Sequence, residues 1–470
     1  MSKRYFFFFQ AIVLFLIPCL SANLPLVAQS AARQPERQFQ VAELRADLRW
    51  YREALQRKHP NLHVYTPEPA IDAFFDSLDA SIRSPMTERE FFNLLTLSFT
   101  RVRDGHTHIF PSDATDRYLN ESGRFLPVKL VFEEGEMRVA EVFCPDCPLP
   151  PGVRILSINK QPTAGIRDFM MERQIRDGYN ETYPAWILNR WFINYYAFHF
   201  GCPETFEFEY RLPGQSETQV VSVPALSQAR IDACRSSKAA GSKAQGISLS
   251  LDTARRTAVL RISDFHSAAL KKQYGQRFKP VVSAHFQTIR ALGIEHLILD
   301  LRDNQGGDLG NGVFLLKHLI DHPFKIVEGY GKVRRNATSG PRRVRKVRGP
   351  AEGWQKPVGQ PFTGRLYVLV NGGSFSNSGI VSSGLRRHTR CLVIGEETGG
   401  NPDLLSAGGR YQRLPYTGLK VLIPNRQFRI TGPAPGNGRG LMPDHVVPAD
   451  GGHRDSVLQF TLHLIDTSPR

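Results

Sequence analysis

Three serines, at 374, 376 and 378, fall between an apolar run, Leu366 to Val370, and a run with apolar residues at helical spacing, Asn377 to His388. The first run is long enough for a buried strand. With the turn formers Asn371, Gly372 and Gly373 between them, the pattern reads as strand, turn and helix. A serine at such a turn has its hydroxyl lifted clear of the sheet, and the unpaired N–H groups of the helix's first turn face any oxyanion that forms beside it. Ser376 is therefore the candidate nucleophile. The competing reading makes all three serines mere turn and capping residues. A second strand, HLILDLRDN, ends in Gln305-Gly306-Gly307. Paired glycines there either make a tight turn or permit a close backbone approach with exposed N–H groups. Beside Ser376 they would supply an oxyanion hole with one N–H from the Gly306/Gly307 turn and one from Asn377. This requires the strands ending in Asp300 and Val370 to lie near each other in one sheet, as parallel βαβ order allows.

A further chemical signal lies far upstream, in RVRDGHTHIF. Asp104-Gly105 breaks a helix, and His106 and His108 alternate on an extended segment, which on a regular strand points both the same way. Two histidines so spaced can ligate a metal if the strand twists, but no third ligand stands at a fixed spacing to them, so zinc is the minor reading.

The elements that must position these residues follow from periodicity. Residues 35–123 read as an N-terminal helical domain: helical patterns cover Val41 to Arg103, broken by Pro60, Pro67 and Pro69, and restarted at Thr87-Glu88-Arg89-Glu90, a capping box. From 124 to 226 the period switches to two, with a hairpin turn at Glu134-Gly135, another turn at Asn159-Lys160, an aromatic-rich helical insert, and two closing strands around Pro213-Gly214. Packing is the expected role of the insert around Trp186 to Phe198. Residues 227–246, rich in Ser, Ala, Lys and Arg, read as a linker. From 247 to 470 strands and helices alternate, giving an α/β layer with mostly parallel strands, then a β-like tail and a terminal helix.

With 470 residues, 41% hydrophobic and 22% charged, the chain is globular rather than disordered. Residues 1–30 have the layout of a secretory signal peptide: Lys3 and Arg4, then the apolar block YFFFFQAIVLFLIPCL, then small residues. Export is expected, to the periplasm or cell envelope. The alternative, an uncleaved anchor, is weakened by Pro18 and by a block shorter than the roughly 20 residues a spanning helix needs. Of six cysteines one lies in this segment, leaving an odd number. Cys144-Pro-Asp-Cys147 suits a local disulfide, and a Cys202–Cys234 bridge is allowed. The net charge of +16 is concentrated in Lys332 to Arg348, a loop-like run without the interleaved aromatics that nucleic-acid binding wants. A solvated loop is expected there, with contact to an anionic envelope surface as the alternative. The oligomeric state is not legible.

Four of these stretches together resemble one family. LILDLRDNQGGD is similar to the signature of the C-terminal processing (tail-specific) serine peptidases, family 41, a group that takes in tricorn protease and the repeats of interphotoreceptor retinoid-binding protein. SFSNSGIVSSGLRRHTRCLVIGEETGG resembles that family's serine-bearing segment and G-E-x-T-x-G block. RDGHTHI resembles the D-G-H-T element of the tricorn-like branch, and GVRILSINKQPTA the turn of the family's PDZ-like domain. The resemblance implies a crotonase/ClpP-like ββα catalytic core with an N-terminal helical unit and an inserted PDZ-like β-rich domain. It also implies Ser376 as nucleophile, His106 as general base, His108 as structural, and Gly306/Gly307 with Asn377 as oxyanion hole. The implied substrate is a protein or peptide, and no metal or organic cofactor is needed.

Departures from the family pattern matter. Asn401 stands where the Ser-Lys branch has its lysine, so a Ser-His arrangement is expected instead. In GNGRGLMPD, Asn437 occupies the place of the acidic residue that orients the histidine; an amide oxygen can accept the second imidazole N–H but cannot stabilise an imidazolium by charge. Gly379 and Gly105 also differ from the family. Two readings follow: an exported serine endopeptidase, or a catalytically inactive relative that binds peptide or lipid.

Overall fold

The computed structural model describes residues 37–143, 147–238, 245–333, 344–349, 351–430, 438–448 and 455–467. The signal segment, Cys144, the middle of the basic run and Asn437 lie outside them. The helical periodicity near the start becomes Val41–Lys58, Glu68–Ser81, Glu88–Thr96 and the short Phe99–Val102. The capping box forms as read: Thr87 Oγ1 accepts from Glu90 N–H at 3.3 Å and Glu90 Oε2 accepts from Thr87 N–H at 2.7 Å. These helices share a continuous apolar core with a six-stranded antiparallel sheet, ordered Val128–Glu133, Glu136–Val142, Arg154–Ile158, Thr205–Arg211 and Gln219–Pro224, with the short Gln161–Pro162 paired to Arg154–Ile158 off this path. Its first hairpin turns at Glu134 and Gly135, both at positive φ, where a left-handed pair matches strand twist.

The α/β layer is a six-stranded sheet ordered Ile247–Asp252, Thr257–Ile262, His296–Asp300, Arg365–Val370, Leu392–Gly395 and His445–Val446. Only the first pair is antiparallel. Asp300 pairs with Leu369, so the two strands that lead into the glycine and serine turns are hydrogen-bonded neighbours at the centre of the sheet and release both turns at its carboxyl end. From Leu270 the chain makes a short helical stretch, Leu270–Tyr274, which ends at Gly275, φ +68°, before the helix Phe278–Ala291.

Several expectations are corrected. Gln228–Lys238, in the stretch read as linker, is helical. The described ends of the basic run are not loop: Val327–Val333 and Val344–Val347 pair as antiparallel strands. Cys202 and Cys234 are both free thiols. His106 is not on a strand with His108 but in the turn before it, so the two do not share a strand face.

The strand His108–Phe110 pairs with Lys420–Leu422 from the tail, which binds the N-terminal helices to the half that carries the α/β layer. Asp47, fully buried on the first helix, secures the same junction by accepting from Tyr416 N–H (2.9 Å), Thr417 N–H (2.8 Å) and the Thr417 hydroxyl (2.6 Å). Truncating it strands buried donors, so Asp47→Ala should lower unfolding stability by about 3 kcal/mol in urea titration. A change under about 0.5 kcal/mol would mean that water replaces the carboxylate.

Candidate active site

Ser376 sits at φ +54°, ψ −116°, a conformation that side chains rarely adopt, immediately before the helix Asn377–His388. Its side chain makes no capping hydrogen bond. The turn is held by its neighbours instead. Ser374 Oγ donates to Leu301 C=O (2.8 Å) and accepts from Asn371 N–H (3.1 Å), and Phe375 N–H donates to Asn304 C=O (3.1 Å). Of the three serines, 374 is structural, 378 is buried, and 376 presents its hydroxyl to an imidazole.

That imidazole is close. His106 Nε2 lies 3.1 Å from Ser376 Oγ across 270 residues of sequence. Phe375 makes the join: its ring stacks on His106 at 4.7 Å and on Tyr183 at 4.1 Å, so the residue preceding the serine is buried in the core of the N-terminal half. Trp186 continues the stack, lies against Gly372 and Gly373, and donates from Nε1 to Asp303 Oδ1 at 2.8 Å. A Cβ at Gly373 would fall 2.4 Å from the Trp186 ring. The helical insert thus packs against the serine turn.

Burial depresses the His106 pKa below its ordinary 6.5; the Asp104 carboxylate opposes this and His59 adds to it. The imidazole is therefore neutral at pH 7 and able to accept a proton. Asp104 Oδ1 accepts the His106 N–H at 2.9 Å, and Asp104 Oδ2 is 3.4 Å from His59 Nε2. His106 Nδ1 is buried with no hydrogen-bond partner among the described residues. His108 stacks on Phe110 at 5.5 Å, and burial drives its pKa to about 3.

The glycine turn meets the serine turn as its strand order requires. A Cβ on Gly306 would lie 2.7 Å from Asn377 N and 2.8 Å from Ser376 Cβ. Gly306's own N–H, however, donates to Asn304 Oδ1 at 2.8 Å. Gly307 forms a parallel bridge with Phe265 whose hydrogen bonds come from Gly306 C=O and Asp308 N–H, so the Gly307 N–H points away from that bridge. The Asn377 side chain donates to Asp308 C=O at 2.9 Å, linking the two turns. Asn401 is fully engaged: its N–H donates to Asp177 Oδ2 (3.1 Å), its Oδ1 accepts from Asp403 N–H (2.8 Å), and its Nδ2 donates to the Tyr65 hydroxyl.

Two features were not visible in the sequence reading. Buried Glu397 binds Arg439, Gly440 N–H (2.6 Å) and Asn180 Nδ2 (3.0 Å), fixing the tail segment that follows Asn437. Gly438 C=O accepts from Tyr179 N–H at 2.8 Å, and Gly178 N–H donates to Arg103 C=O at 3.0 Å, which brings this tail beside the chain leading to His106. The G-E-x-T-x-G block could have signalled the first; nothing local signals the second.

Residues 256–447 match the family described as Peptidase family S41. Carboxyl-terminal-processing peptidase 2, chloroplastic, of Arabidopsis thaliana is 27% identical over 175 residues, 37% of this chain and 30% of that protein. The carboxyl-terminal-processing protease of a Picosynechococcus strain is 26% identical over 201 residues, 41% of this chain and 43% of that protein. The chain thus spans less than half the length of these curated relatives. Among solved structures, mature CPAF superposes with a TM-score of 0.64 at 13% identity, covering 91% of this chain and 96% of that one, a likeness of fold.

Proposed function

We propose, since residues 256–447 match the family described as Peptidase family S41, that this chain is a serine endopeptidase in which Ser376 is the nucleophile and His106 the general base. The observation that carries this reading is the 3.1 Å contact between His106 Nε2 and the hydroxyl of a serine held in a strained strand-to-helix turn. His106 Nε2 takes the proton as Ser376 Oγ bonds to the peptide carbonyl carbon. The resulting oxyanion is received by the N–H groups of Gly307 and Asn377, with Gly306 providing the space. As the C–N bond breaks, the imidazolium returns the proton to the leaving amine. Water then attacks the acyl-enzyme with His106 again as base, releasing the acid and restoring Ser376.

The substrate is an unfolded or extended protein segment, since a hydroxyl set among packed turns admits only a single strand of chain. We assign the six-stranded antiparallel sheet to the PDZ-like role of gating or holding a chain end. At one edge, the Asn189 side chain already accepts from Phe132 N–H (2.7 Å) and donates to Phe132 C=O (3.1 Å), so an added strand there must displace it. Export rests on residues 1–30; no helix among the described residues is long and apolar enough to cross a membrane. The rival reading, an inactive peptide or lipid binder, draws on asparagine at 437 in place of an acidic residue.

Incubation with a disordered protein should release fragments with new N-termini; intact substrate at every pH would favour the binder. Gly306→Ala tests the oxyanion site. At φ +99° and with a Cβ 2.7 Å from Asn377 N, the variant must shift the serine turn, and turnover should fall about 100-fold. Unchanged turnover would move the oxyanion site elsewhere.

A further inference from the structure

We propose, resting on the peptidase reading above, that Asp177 is a positioning residue whose ionised carboxylate holds the turn carrying His106 in register with the loop behind Ser376. Asp177 lies on the connection between the helices Thr163–Glu172 and Thr182–Phe200, and is 4% exposed. Its Oδ1 accepts the N–H of Gly105, the residue before His106, at 2.7 Å. Its Oδ2 accepts the N–H of Asn401 at 3.1 Å. The residue before Asn401 is Gly400, where a Cβ would lie 3.1 Å from the Ser376 amide nitrogen. One side chain therefore spans the two segments whose separation sets the contact between base and nucleophile.

Close packing and a second carboxylate, Asp104, hold the rest of the turn. Gly105 has no room for a side chain, since a Cβ there would be 2.7 Å from the Phe375 ring and 3.1 Å from Asp177 Oδ1. The next amide, that of His106, is taken by Asp104. Two consecutive N–H groups of the base-bearing turn are thus held by two separate buried carboxylates.

The groups facing Asp177 offer no compensating cation. They are Asp104, with His59 behind it, His106 beyond Gly105, and Tyr65 and Tyr183, each of which feels the Asp177 charge. The neighbouring cations are turned to other partners: Arg176 to Glu181, Arg103 over the Tyr179 ring, Arg387 to Asp403, and Arg439 to Glu397. Burial and then Asp104 push the Asp177 pKa up to about 7, against the pull of its two N–H donors. On taking a proton the carboxyl gains an O–H that donates, and one of the two amides loses a full acceptor. Acid therefore loosens the register before it protonates His106, whose own pKa lies below 6.5.

The test is the rate at which a fluorophosphonate probe inactivates the full chain, measured from pH 5 to 9. The wild type should lose rate toward acid in two steps, one near pH 7 and one below 6.5. Asp177→Asn places an amide N–H₂ opposite one of the two donors, so its rate at pH 8 should be about 100-fold lower, the scale of an ångström-sized misplacement. Its profile should keep only the lower step. If the variant does not fold, the wild-type profile decides alone. A single wild-type step below 6.5, or an Asp177→Asn rate and profile equal to wild type, overturns the positioning role while leaving the peptidase intact. No inactivation at any pH overturns both.

Discussion

Ser376→Ala should reduce peptide hydrolysis about 10⁶-fold, the scale seen when a serine nucleophile is removed from a unit that acts together, leaving only what binding and the oxyanion donors contribute. Folding should be unaffected by this change, because the hydroxyl makes no capping bond and the turn is held by Ser374, Asn371 and Asn304. Ser376→Gly makes a sharper statement. Glycine adopts φ +54° without steric cost, so this variant should be as inactive as the alanine form and more stable than it by about 1 kcal/mol. Matched measurements of turnover and denaturant midpoint check both. An alanine variant with more than a tenth of wild-type turnover would remove Ser376 from the chemistry.

His106→Ala should cost a similar factor, since without a base the serine hydroxyl remains protonated at neutral pH. The cavity it leaves lies against Phe375 and opens toward Ser376 Oγ, so added imidazole should restore part of the activity. In the wild type the base must be neutral to work. Its pKa is depressed, so this ionisation leaves activity intact at pH 7 and removes it as pH falls through a value below 6.5. Activity that instead rose toward acid would exclude a neutral imidazole base. His108→Ala, two residues on, should retain activity while losing stability, because that ring is buried against Phe110 rather than directed to the serine.

Local chemistry was legible where it is written locally. Strand, turn and helix around Ser376, the glycine turn after Asp300, and the Thr87 capping box all follow from period and turn residues within a dozen positions. Turn position and the family resemblance singled out Ser376 among three serines, but neither its φ nor the meeting of its hydroxyl with a histidine 270 residues away was legible. Alternation misassigned His106 because the chain turns at Gly105 and His106 and extends only from His108. Side-chain period gives a strand's faces but not its partner, so the pairing of His108–Phe110 with Lys420–Leu422 had no signal. Phe375 read as one more apolar residue, yet it is the contact by which the two halves of the chain align base and nucleophile. The helix Gln228–Lys238 escaped notice for a different reason: Ser, Arg and Lys mark linkers as readily as exposed helix.

The oxyanion assignment shows how far pattern can go. Paired glycines pointed to a turn that packs against Ser376 and Asn377, but which of its two N–H groups is available depends on Asn304, whose side chain takes that of Gly306. A similar limit applies to Asp177, an unremarked acid in RDGYNETY until the fold places it between Gly105 and Asn401.

The most direct measurement is the site of covalent capture: treat the full chain with a fluorophosphonate at pH 8, weigh the intact protein, and map the modified peptide. The account expects one adduct per chain, on Ser376, absent from Ser376→Ala and strongly reduced in His106→Ala. An unmodified mass, or an adduct on any other residue, would contradict it.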